Sequence, residues 1–165
     1  MHDFNTFCSS NSIGKDTTSN YELIDYAKRL KIPYFRGYFM NDELPKKIKI
    51  NECGIVNLQD SDEQGSHHVC YFKKGKLKYY FDSYGLDCSN EVLNYLKSPI
   101  ISSTYQIQKM GSKMCGQYCL YVLYYLGKGY DFINILHKLL THKGGNINED
   151  LNTIGDIAEI AELFL

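Results

Sequence analysis

HHVCYFKKGKLKYYFDSYG, residues 67–85, carries the clearest structural signal in the chain. His67–Phe72 and Leu77–Asp82 are runs rich in Val, Tyr and Phe, and KKGK at 73–76 is a turn containing Gly75. Two such runs around such a turn predict a β-hairpin. A turn symmetric about Lys74 and Gly75 pairs Phe72 with Leu77, Cys70 with Tyr79 and His67 with Asp82. Directly opposed side chains have Cβ atoms about 4.5–5.5 Å apart, within reach of an imidazole–carboxylate hydrogen bond. His68 then points to the other face, across from Phe81. The expectation depends on register, since a slip of one residue exchanges the faces.

Downstream of the hairpin, a helix is expected over about 90–97, ending before Pro99. Residues 103–108 (STYQIQ) alternate like a strand, and 109–113 form a loop. A strong helix begins near Met114: Cys115, Tyr118, Cys119, Val122, Leu123 and Leu126 form one apolar face, and Gly127 and Gly129 end it. Further helices fit 131–141 and 149–164. Upstream, residues 53–58 (CGIVNL) read as a buried strand, 60–65 as an acidic loop and 34–49 as an irregular wrap. A helix over about 21–31 is capped by Ser19 or Asn20 and stopped by Pro33. Residues 1–19 are polar and aperiodic, so they are expected to be a flexible arm before a single α+β domain at 20–165.

The chain has 165 residues, and its 18 Lys+Arg against 19 Asp+Glu give a net charge of -1. That balance excludes a strongly basic nucleic-acid coat and an acidic tail. No stretch approaches the roughly 20 apolar residues of a membrane helix, and MHDFNTFCSSNS lacks the apolar core of a signal peptide. Cysteines stand at 8, 53, 70, 88, 115 and 119. A domain of this size needs no disulfides, and no CxxC pair suggests zinc. Cys53, Cys70 and Cys119 read as small buried hydrophobes. Fifteen Tyr accompany no Trp.

Cys115 stands apart because it opens the strongest helix, where the dipole and unpaired N–H groups favour a thiolate. Gly116 after it has no side chain to keep a substrate carbonyl from the Cys115 N–H. A nucleophilic thiolate needs an imidazole partner, and that imidazole needs an orienting acceptor; the hairpin offers His67 and Asp82. Gln108, upstream of the helix, is positioned to donate to an oxyanion. Each has a plainer reading: core packing for the cysteine, surface or core placement for the histidine, turn formation for Asp82, an exposed strand position for Gln108. The four together, in the order His, Asp, Gln, Cys, are more informative than any one.

GSHHVCYF (65–72), YYFDSYGL (79–86) and QIQKMGSKMCGQYCLYVL (106–123) resemble the adenovirus-protease (adenain) type of cysteine peptidase. ECGIVNL (52–58) and FRGYFMNDELP (35–45) bring the likeness closest to the versions carried by virophages and Polinton/Maverick elements, over about residues 20–140. SUMO and ubiquitin-like-protein proteases share the fold and residue order more distantly. The resemblance implies a papain-related α+β fold with a central, mostly antiparallel sheet flanked by helices and the nucleophile opening a buried helix. It places the nucleophile at Cys115, the base at His67, the orienting acid at Asp82 and the oxyanion donor at Gln108, seven residues before Cys115. Gly116 and His68 become substrate-contacting neighbours, and no cofactor or metal is implied.

By the same resemblance the substrates are capsid-protein precursors, of the major capsid and penton type, cut after Gly-Gly-X motifs during maturation in the virion or host-cell cytoplasm. An isopeptidase for ubiquitin-like tails and a non-catalytic capsid-associated protein are the alternatives. Adenain is stimulated by DNA and by a disulfide-linked peptide; neither activator is required by this sequence. Gly144-Gly145 resembles a cleavage site but also an ordinary loop before a helix. One departure is plain: the family has Trp after the catalytic His, and this chain has His68. A protonated His68 would repel a His67 imidazolium.

Overall fold

The computed structural model describes residues 1–59, 67–109 and 112–141. The acidic loop at 60–65, the helix expected over 149–164 and the Gly144-Gly145 motif lie outside them. β3 (His68–Lys74) and β4 (Leu77–Phe81) form the hairpin. Its register differs by two residues from the symmetric expectation: Lys74 pairs with Leu77, Phe72 with Tyr79 and Cys70 with Phe81. Tight two-residue hairpin turns favour positive φ at their first position, which Gly75 adopts at +60°. A turn centred on Lys74 and Gly75 would have asked that of a lysine. A shift of two leaves each side chain on its expected face, because strand periodicity is itself two.

β2 (Asn51–Asn57) runs antiparallel to β3, while β1 (Phe35–Met40) is parallel to β2 and β5 (Ile101–Ser102) parallel to β4. The sheet order is β1-β2-β3-β4-β5. It is therefore a mixed sheet, antiparallel at its centre and parallel at both edges. β1 lies within the expected irregular wrap. Its alternation is obscured by Gly37, where the register with β2 shifts. The strand expected at 103–108 is instead the two residues of β5. Beyond them the N–H groups of Ile107 and Gln108 both donate to the Ser83 carbonyl instead of extending the ladder.

Alternation along β3 sorts the core into two layers. Cys70 and Phe72 join the larger cluster with the buried helix α4 (Cys115–Gly127). Val69 and Tyr71 face the other way, beneath Val92 and Leu96 of the helix at Asn90–Leu96, here α3. α5 (Phe132–Thr141) and α2 (Asn20–Arg29) also pack on the α4 side; α2 opens with a Ser19–Glu22 capping box. The N-terminal segment is not a loose arm. Asp3 caps α1 (Phe4–Ser10), and Phe4, Phe7 and Cys8, at i, i+3 and i+4, are buried against α4. His2 N–H donates to the Tyr125 hydroxyl, and Tyr121 donates to the His2 carbonyl. Seven helical residues among polar neighbours carry too little periodicity to be read without that partner surface.

Candidate active site

Cys115 is the first residue of α4, and Met114 before it makes no side-chain capping bond. The first-turn N–H groups and the positive end of the helix dipole thus bear on the sulfur. The sulfur abuts the start of β3. Both the backbone N–H and Nδ1 of His68 lie 3.4 Å from Cys115 Sγ. One turn further on, the Cys70 thiol donates to the Cys119 carbonyl at 3.8 Å, so α4 follows the strand.

His67 precedes β3 and escapes its alternation. Its Nε2 lies 2.7 Å from Asp82 Oδ1, and its ring stacks on Tyr84 with centroids 4.6 Å apart. Extending the hairpin register places Tyr84 rather than Asp82 across from His67; Asp82 reaches the imidazole diagonally. The buried Asp82 also accepts the Tyr84 N–H at 2.8 Å. His67 Nδ1 is buried without a hydrogen-bond partner among the described residues. With Nε2 engaged by Asp82, Nδ1 is the nitrogen left for the thiol.

Burial works against a thiolate at Cys115, but interactions with His67 and His68 outweigh it and bring the pKa down to about 6. Burial likewise works against a charged His67, yet Asp82 and Cys115 together raise its pKa to about 9. Burial instead pushes up the thiols of Cys8 and Cys88, each to about 11, and those of Cys53 and Cys119. Cys115 moves in the opposite direction to these four.

Gln108 is buried in the loop before α4. The Ser83 hydroxyl donates to its Oε1 at 2.5 Å, and its Nε2 donates to the Ser112 carbonyl at 2.5 Å. One amide N–H remains for a further acceptor. Gly116 is also required by packing. A Cβ there would stand 2.7 Å from Thr18 Oγ1 and 2.8 Å from Leu23 Cδ2. The absence of a side chain therefore lets Thr18 and Leu23 pack closely against the start of α4.

Sequence reasoning missed Tyr38, Asn57, Ser83 and Tyr84. Ser83 and Tyr84 read as turn residues, although adjacency to Asp82 was a signal; Tyr38 lies on a strand that was not foreseen. A cleft of about 470 Å³ opens over Cys115, walled by Thr17–Asn20 on one side and by Tyr38, Asn57 and His68 on the other. No group of three potential metal ligands and no helix long and apolar enough to cross a membrane occur among the described residues.

The α+β architecture, with helices on a central mixed sheet, has counterparts of the same fold among solved structures. It matches the ASFV pS273R protease over 74% of this chain, with 15% identity and a TM-score of 0.52. The selenomethionine form of the same protease matches over 83%, with 12% identity and a TM-score of 0.54. At this identity the likeness is one of fold. The chain covers 61% and 66% of those two chains, less than two thirds of either. No family model and no curated protein matches the sequence.

Proposed function

We propose that the protein is a cysteine endopeptidase with Cys115 as nucleophile, His67 as general acid–base, Asp82 as its orienting acid and Gln108 as an oxyanion donor. The observation that carries this is geometric: the Cys115 thiol is buried at an uncapped helix start with His68 Nδ1 3.4 Å from its sulfur, and His67 Nε2 is held 2.7 Å from Asp82 Oδ1. Cys115 Sγ attacks the scissile carbonyl carbon, and the carbonyl electrons move to an oxyanion that the Cys115 N–H and the remaining Gln108 N–H receive. The tetrahedral intermediate collapses, the C–N bond breaks, and the His67 imidazolium protonates the departing amine. His67, now neutral, takes a proton from water as it attacks the thioester, which releases the acid and restores the thiolate–imidazolium pair.

The resemblance to adenain-type peptidases of virophages and Polinton elements extends the proposal to capsid-protein precursors cut after Gly-Gly-type motifs during virus maturation, in the virion or host cytoplasm. A DNA or peptide activator is left to assay. The test is mass spectrometry of a capsid precursor incubated with wild-type protein or Cys115→Ala. Wild type should yield defined fragments after small residues, and Cys115→Ala none. Cleavage by Cys115→Ala would remove the assignment. Cleavage of ubiquitin-like fusions but not of the precursor would redirect it to the isopeptidase reading.

A further inference from the structure

Besides His67 and Asp82, a second imidazole stands next to the Cys115 sulfur in a directional chain of hydrogen bonds. The chain starts at Gln59, whose backbone N–H donates to Asn57 Oδ1 at 3.0 Å. That contact fixes the amide orientation, so Asn57 Nδ2 is the atom that donates to the Tyr38 hydroxyl at 3.0 Å. The hydroxyl accepts from Asn57 and keeps its own proton, and the nearest acceptor is His68 Nε2 at 2.9 Å. A neutral histidine that accepts at Nε2 carries its proton on Nδ1, the atom 3.4 Å from Cys115 Sγ. The backbone N–H of the same residue adds a second donor at 3.4 Å. Asn57 and His68 are buried.

We propose that His68, held in its Nδ1–H tautomer by Asn57 and Tyr38, is a second catalytic residue that stabilises the Cys115 thiolate as a neutral donor. Tyr38 and Asn57 are its positioning residues. The proposal rests on the peptidase reading and deepens it. It also resolves the repulsion that two adjacent histidines would suggest, because only His67 carries charge while His68 donates without being protonated. The work on the thiolate is divided: His67 forms the ion pair and transfers protons, and His68 donates to the sulfur from its Nδ1 and its backbone N–H. Strand parity supports the division, since His68 shares the α4-facing side of β3 with Cys70 and Phe72. The other titratable groups around the pair are His67 with Asp82 behind it, Tyr84 on the His67 ring, Cys119 on α4 and Lys113 at the cleft rim.

The test measures the pH dependence of iodoacetamide alkylation at Cys115, followed by mass spectrometry of its peptide, which requires no substrate. Tyr38→Phe keeps the ring and removes the hydroxyl that holds the Nδ1–H tautomer; it should raise the alkylation midpoint, by up to about one pH unit where the Nδ1–H bond to the thiolate is lost with it. His68→Leu should raise it at least as far. His68→Asn, whose amide can place an N–H near the former Nδ1, should recover most of the wild-type midpoint. Circular dichroism checks that each variant is folded, and Tyr38→Phe carries the test alone if His68→Leu is not. Unchanged midpoints in Tyr38→Phe and His68→Leu, with a raised midpoint in His67→Ala, would overturn the proposal and leave the peptidase reading standing. Wild-type alkylation that favours another cysteine over Cys115 would overturn both.

Discussion

In the proposed mechanism the working pair is a Cys115 thiolate, with its pKa drawn down to about 6, and a His67 imidazolium, with its pKa raised to about 9. Below the lower value the thiol is protonated and the nucleophile is lost. Above the upper one His67 has no proton for the departing amine. The pH profile of kcat/KM should therefore be a bell with limbs near those values, which belong to the coupled pair rather than to either residue alone. A single acid limb with no alkaline decline to pH 10 would contradict His67 as the proton donor. Gln108→Ala should reduce kcat about 10²- to 10³-fold, the usual effect of losing one oxyanion donor, with KM nearly unchanged. Gln108 also ties Ser83 to Ser112, so the thermal midpoint must accompany the kinetics. A loss of activity that follows unfolding alone would assign Gln108 to structure.

Local elements position these groups, and the turn after β4 matters most. Gly85 N–H donates to the Asp82 carbonyl at 2.8 Å and has φ of +72°. A Cβ on Gly85 would lie 2.4 Å from the Tyr105 carbonyl carbon. Gly85→Ala therefore combines a left-handed φ with a collision against backbone, at a cost of about 1–3 kcal/mol or more, and should lower both the melting temperature and kcat. Gly129→Ala is the control: its φ is +89° but nothing lies within 4 Å of the added Cβ, so only the backbone cost remains. Equal melting losses in the two variants would show that the Tyr105 collision is relieved. The hairpin and α4 were legible because a Gly-centred turn and a 3.6-residue apolar period are local signals. β1 was not, because its parallel pairing to β2 and the break at Gly37 are tertiary facts. The His67–Asp82 contact was anticipated through the wrong register; in the structure Asp82 reaches diagonally to His67, a residue just before β3. The Trp-to-His departure marked position 68 in the sequence, and its parity with Cys70 accounts for its nearness to Cys115.

At the scale of the whole molecule, one buried carboxylate joins three strands and the helix on the far face of the sheet. Glu52 on β2 is fully buried and accepts from Arg36 of β1 at 2.7 Å, Tyr71 of β3 at 2.9 Å, Tyr95 of α3 and the Lys49 N–H at 3.1 Å. Burial pushes its pKa up, but these hydrogen bonds prevail and hold it below the ordinary value of 4.5. A carboxylate depressed in the folded state binds protons more readily when unfolded. Its stabilisation is complete above the unfolded pKa and is lost as pH falls through the folded one. Glu52→Gln leaves the partly exposed Arg36 guanidinium without its counter-charge, and losing charge-assisted hydrogen bonds of this kind costs about 1.5–3 kcal/mol. Chemical denaturation at pH 7 should show that loss. The gap between wild type and Glu52→Gln should then narrow below pH 4.5, because wild type forfeits in acid the charge that the variant never had. A gap that stays constant from pH 7 to pH 3 would mean that the Glu52 charge contributes nothing to folding, and that only the shape of the side chain joins the strands to α3.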